Sequence, residues 1–118
     1  MPASLLIVDP SAENREVLRT VLARRGWRIF EAEAAERGVE LAREHHPDVI
    51  VLDLETDTTD AAAIRQQIDA DSPDHPAELI MLGKLRRGPQ FAGGHVISKP
   101  YHFAPLIHTI EQLAAKAA

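Results

Sequence analysis

A doubly wound α/β domain built on a five-stranded parallel sheet is the fold class that this 118-residue sequence predicts. Three observations carry the expectation. Short runs rich in Val, Ile and Leu recur along the chain, segments with helical spacing separate them, and Gly or Pro stands where one element should give way to the next. Continuous apolar runs suit strands covered on both faces. Strands alternating with helices imply right-handed crossovers within a parallel sheet. Five such units in this length fit the flavodoxin-like order 2-1-3-4-5, in which ligands bind beyond the carboxyl ends of the strands, where the strand order reverses.

The apolar runs are Leu5 to Val8, Trp27 to Phe30, Val49 to Leu52, Leu79 to Leu82, and Val96 to Ile97. After the first run, Val17, Leu18, Val21 and Leu22 form a helical stripe that Gly26 closes. Ala35, Val39 and Ala42 form a second stripe, stopped by Pro47, and Ala61, Ile64 and Ile68 a third, stopped by Ser72-Pro73. Leu106, Ile107, Ile110, Leu113 and Ala114 give a last amphipathic helix. The fourth crossover departs from the pattern. Its sequence GKLRRGPQFAGGH holds Gly83, Gly88, Pro89, Gly93 and Gly94, a spacing that excludes a normal helix, so the fourth helix is expected to be shortened or missing.

One domain is expected over residues 1–118, large enough to bury a core without a disulfide or metal staple. Hydrophobic residues at 45% and charged residues at 26% argue for a folded globular chain rather than a disordered one. Cysteine is absent, which removes disulfides, thiolate metal sites and thiol catalysis, and fits a cytoplasmic location. A net charge of −5 is a poor starting point for gripping a phosphate backbone, so no direct nucleic-acid binding is expected. The apolar runs are too short to span a bilayer, and MPASLLIVDP lacks the basic lead of a secretory signal. No membrane partner is expected.

The candidate chemistry lies at strand ends. Asp9 follows LLIV and Asp53 follows VIVL, and the predicted strand order makes these ends neighbours. Two adjacent carboxylates repel, and their natural use is to share a hard cation such as Mg²⁺. Lys99, followed by Pro100 just after the fifth strand, could reach Asp53 as a point charge, pairing with the carboxylate or with a phosphoryl group on it. A carboxylate flanked by Mg²⁺ and a lysine suits nucleophilic attack on phosphorus. An independent enzyme is not expected, since no serine or histidine is placed for general-base work near the strand ends. His45 and His46 point about 100° apart on a helix and are expected to be a solvated helix end, not a chelate. Lys84, Arg86 and Arg87 form a basic cluster that reads as a solvated loop or as a contact for an acidic partner. Trp27 is expected at the half-buried edge of the second strand.

In LLIVDPSAENREVLRTVLARRG, HPDVIVLDLE and ISKPYHFAPL, taken in order and separation, the chain resembles the receiver domain of two-component response regulators over essentially its whole length. The resemblance implies a phosphoacceptor at Asp53, loaded from the phosphohistidine of a histidine kinase or phosphotransfer protein, with Mg²⁺ required. At most it implies self-catalysed phosphotransfer and dephosphorylation. It gives Asp9 one of two acidic metal-binding positions, Glu55 the backbone carbonyl ligand, and Lys99 the role of phosphoryl and charge partner. Three positions depart from the family: Pro10 replaces the second acid, Gly83 replaces the Thr or Ser after the fourth strand, and Val96 replaces the aromatic switch residue. Two readings therefore stand side by side. One is a phosphorelay receiver. The other is a degenerate pseudo-receiver that binds partners without phosphorylation. A nucleotide binder on the same sheet is disfavoured, because no glycine-rich loop follows the first strand.

Overall fold

The computed structural model describes residues 3–53, 66–68, 77–83, 94–97 and 102–117. Five strands, β1 (Ser4–Val8), β2 (Arg28–Ala32), β3 (Val49–Asp53), β4 (Glu78–Leu82) and β5 (Gly94–Ile97), form one sheet in the order β2-β1-β3-β4-β5. Every pairing is parallel. Helices α1 (Ala12–Arg24) and α2 (Ala35–His45) follow β1 and β2, and a last helix, Phe103–Ala117, follows β5. The α/β class and the strand order are those the sequence predicts.

The alternation of side chains along each strand divides the core into two layers. Leu5 and Ile7, Val49 and Val51, and Ile80 and Leu82 meet Leu18 and Leu22 of α1 and Leu106, Ile110 and Leu113 of the last helix. Their neighbours Leu6, Val8, Ile50, Leu52, Leu79 and Met81 face the other way, toward Ala35, Val39 and Ala42 of α2 and toward Ile68. The inner strands β1, β3 and β4 are buried nearly end to end, which is why their sequences are continuous apolar runs rather than alternating ones. Among the described residues, no helix is long and apolar enough to cross a membrane.

Several local expectations shift. Val17 is 39% exposed, because it lies about 100° round the helix from Leu18, beyond the stripe that reaches the sheet. Trp27 precedes β2 rather than opening it: its N–H donates to Leu22 O at 3.1 Å, closing the α1 turn, while its ring packs on the α1 layer. β2 instead runs on through Glu31 to Ala32. Gly94, read as part of the irregular crossover, pairs with Leu79 as the first residue of β5. His45 is not merely solvated, since its ring stacks on Phe30 with centroids 4.1 Å apart. His46 ends α2 in a left-handed conformation, its N–H bonded to Ala42 O. The shortened fourth helix, the basic cluster of Lys84, Arg86 and Arg87, and the stripe residues Ala61 and Ile64 lie outside the described residues.

Candidate functional site

Asp9 and Asp53 come together because the sheet register brings them there. Val8 pairs with Leu52 in the parallel β1–β3 ladder, so the residue after each stands at the same carboxyl rim. Both continue the alternation of Leu5, Ile7, Val49 and Val51, which places them on the side of α1 and the last helix. They are also enclosed. Asp9 is 3% and Asp53 4% exposed, the only charged residues among the described ones that are buried. A pair of solvated strand-end carboxylates would look different. Burying a carboxylate is costly unless hydrogen bonds or a counter-charge offset it, so an enclosed acid needs polar partners in place.

For Asp9 the offset is a compact turn. Asp9 Oδ1 accepts the N–H of Ser11 at 2.8 Å, and Oδ2 accepts from Asn14 Nδ2 at 3.4 Å. Ser11 then caps α1, its Oγ accepting the N–H of Asn14 at 3.3 Å. Pro10 fits between them because its ring presets φ and its nitrogen has no proton to satisfy. The Asp9 N–H donates to Ala32 O at 3.0 Å, and the Asp9 carbonyl accepts from the Arg15 guanidinium. Ser11, Asn14 and Arg15 were not singled out from the sequence. Asp-Pro-Ser was a readable turn signal; the Arg15 contact left no local trace.

On the far side of Asp53, Leu82 is its register partner, and Gly83 follows at the same rim. Gly83 is buried, and its N–H donates to Ile97 O at 3.1 Å. Val96 stands in β5 opposite Met81. β5 ends at Ile97, in register with Leu82. Lys99, Pro100 and Glu55 lie outside the described residues.

The donor set suits a hard cation. Mg²⁺ takes oxygen ligands, keeps several waters and is commonly held by one or two carboxylates. Asp9 and Asp53 supply two, both buried at one rim. No group of three or more His, Asp or Glu side chains placed to hold a metal occurs among the described residues.

Comparisons with known proteins agree with this fold. A family model described as the response regulator receiver domain matches residues 5–111. The polar-differentiation response regulator DivK of Brucella ovis is 25% identical over 123 residues, covering 99% of this chain and all of that protein. Among solved structures, a CheY-like receiver domain protein from Methanospirillum hungatei superposes with a TM-score of 0.78 at 21% identity, covering 98% of this chain and 96% of the other. A response regulator receiver protein from Sinorhizobium medicae gives 0.79 at 16% identity, covering 99% and 98%. At such identities the structural likeness speaks for the fold alone.

Proposed function

The chain belongs to the response regulator receiver domain family, and from that premise we propose that it accepts a phosphoryl group on Asp53 from the phosphohistidine of a histidine kinase or phosphotransfer protein. Receiver domains are phosphoacceptor signalling domains of two-component systems rather than conventional enzymes. The observation that carries the proposal is the pairing of Asp53 with Asp9 at one buried rim of the sheet. In the transfer, an Asp53 carboxylate oxygen attacks phosphorus, the P–N bond breaks as the O–P bond forms, and the departing imidazole nitrogen takes up a proton. Asp9, Asp53 and the Glu55 carbonyl are assigned as the Mg²⁺ ligands. When bound, the metal offsets the charge of the incoming phosphoryl oxygens. Lys99 is assigned as the second offsetting charge, a point cation free of the geometric demands of a guanidinium. The absence of cysteine favours a cytoplasmic setting.

A small phosphodonor such as acetyl phosphate with Mg²⁺ is expected to add one phosphoryl group, read by intact mass. Asp53→Asn should abolish the addition. An unchanged mass at saturating donor would overturn the proposal.

The second reading, a pseudo-receiver that docks a partner without phosphorylation, is favoured by Pro10, Gly83 and Val96 at family positions that otherwise carry an acid, a hydroxyl and an aromatic ring. It predicts that Asp53→Asn leaves partner binding intact.

A further inference from the structure

Asp9 is held at its side chain, its N–H and its carbonyl, but only one of these contacts leads into a wider charge network. The Arg15 guanidinium that donates to the Asp9 carbonyl also meets Glu31 of β2, with Nε 3.2 Å from Oε1. The other oxygen of Glu31 meets Arg19 Nη1 at 2.7 Å. The Arg15 side chain is 16% exposed and that of Glu31 27%, so this pair is screened by water far less than an ordinary surface ion pair. A guanidinium donates in two directions from one rigid plane, which a lysine ammonium on a flexible stem does not reproduce.

We propose that Arg15 is the positioning residue of the acidic site. It clamps the turn carrying Asp9 to edge strand β2 through Glu31, and thereby sets the metal affinity of Asp9 without touching the metal. The inference rests on reading Asp9 and Asp53 as a Mg²⁺ site. It matters more in this chain because Pro10 leaves Asp9 as the sole carboxylate of residues 9–11. A single ligand on a turn depends strongly on what fixes that turn, and groups that orient a metal ligand typically change affinity by about 10–100-fold when removed.

The test has a metal-free arm and a Mg²⁺ arm. In metal-free protein, amide exchange at Ser11, whose N–H is bonded to Asp9 Oδ1, should accelerate in Arg15→Met and in Glu31→Gln. With Mg²⁺ alone as the probe, calorimetry should give a Kd roughly tenfold weaker in both variants. Arg15→Lys should fall between them and the unaltered protein. Arg19→Gln, which also loses a Glu31 contact but does not reach Asp9, should leave the Kd unchanged. A merely structural Arg15 would lower the melting temperature and move neither readout, which would overturn the proposal. Should Arg15→Met fail to fold, Glu31→Gln decides in the same terms. If the unaltered protein gives no Mg²⁺ response, the metal reading falls and the proposal with it. If it binds Mg²⁺, loses binding in Asp53→Asn and keeps it undiminished in Arg15→Met and Glu31→Gln, the proposal alone falls.

Discussion

At position 10 a proline both removes a carboxylate from the rim and shapes the turn that holds its neighbour. Restoring the acid therefore has two opposed effects. In Pro10→Asp a third carboxylate comes near the cation, and at about 4 Å even water-like screening leaves on the order of 2 kcal/mol between a unit negative charge and a divalent ion. Mg²⁺ affinity should rise at least about tenfold by calorimetry. The same change frees the unfolded chain around residue 10 and should lower metal-free stability by about 0.4–1 kcal/mol, read as a lower urea midpoint. No tightening of Mg²⁺ binding would show that this turn does not serve a metal. The residue scale also divides what the sequence disclosed. Asp9 and Asp53 were legible because an apolar run breaks off on a charge at two strands that the order makes neighbours. Arg15 and Glu31 were not: they lie 16 positions apart, and helical spacing does not say which arginine of α1 turns toward β2.

Among the elements, the inner strands were the easiest to read and the edge strands the hardest, and burial explains the difference. β1, β3 and β4 are covered on both sides and must be apolar throughout. β2, half-buried at an edge, tolerates Arg28 and Glu31, so its apolar letters begin a residue early at Trp27 and stop short of Ala32. Helix packing was less legible still, and Gly38 shows why. It sits in the middle of α2, where glycine disfavours a helix, and nothing in the stripe of Ala35, Val39 and Ala42 accounts for it. A Cβ built at Gly38 would lie 2.7 Å from Val8 Cγ2, so the glycine lets α2 approach β1. Val8 is 2% exposed and β-branched, and it has little freedom to move aside. Overpacking of this kind costs about 1–3 kcal/mol, against roughly 0.8–1 kcal/mol gained in helix propensity. Gly38→Ala should therefore destabilise by about 1 kcal/mol in chemical denaturation. In a Val8→Ala background, where the clash is gone, the same substitution should become stabilising. An additive double-mutant cycle would contradict the contact.

For the molecule as a whole, the site and the fold are thermodynamically linked. The rim joins the ends of β1 and β3, central strands whose side chains enter both core layers, so the acidic pair cannot persist once the sheet comes apart. A cation that binds both carboxylates in the folded state and neither in the unfolded chain must stabilise the entire domain. At free Mg²⁺ tenfold above its Kd, the gain is RT ln 11, about 1.4 kcal/mol. For a chain of this length that corresponds to a rise in Tm of roughly 4–7 °C. The response should be saturable, should follow the Kd measured by calorimetry, and should vanish in Asp53→Asn and in Asp9→Asn. Screening offers the competing explanation, because a chain of net charge −5 gains a little stability from any added salt. Sodium chloride at matched ionic strength separates the two, since screening acts through ionic strength while a site of two carboxylates would select a small divalent ion by its oxygen ligands. Equal Tm shifts with both salts, or a Mg²⁺ shift that survives in Asp53→Asn, would remove the carboxylate pair as the cation's site.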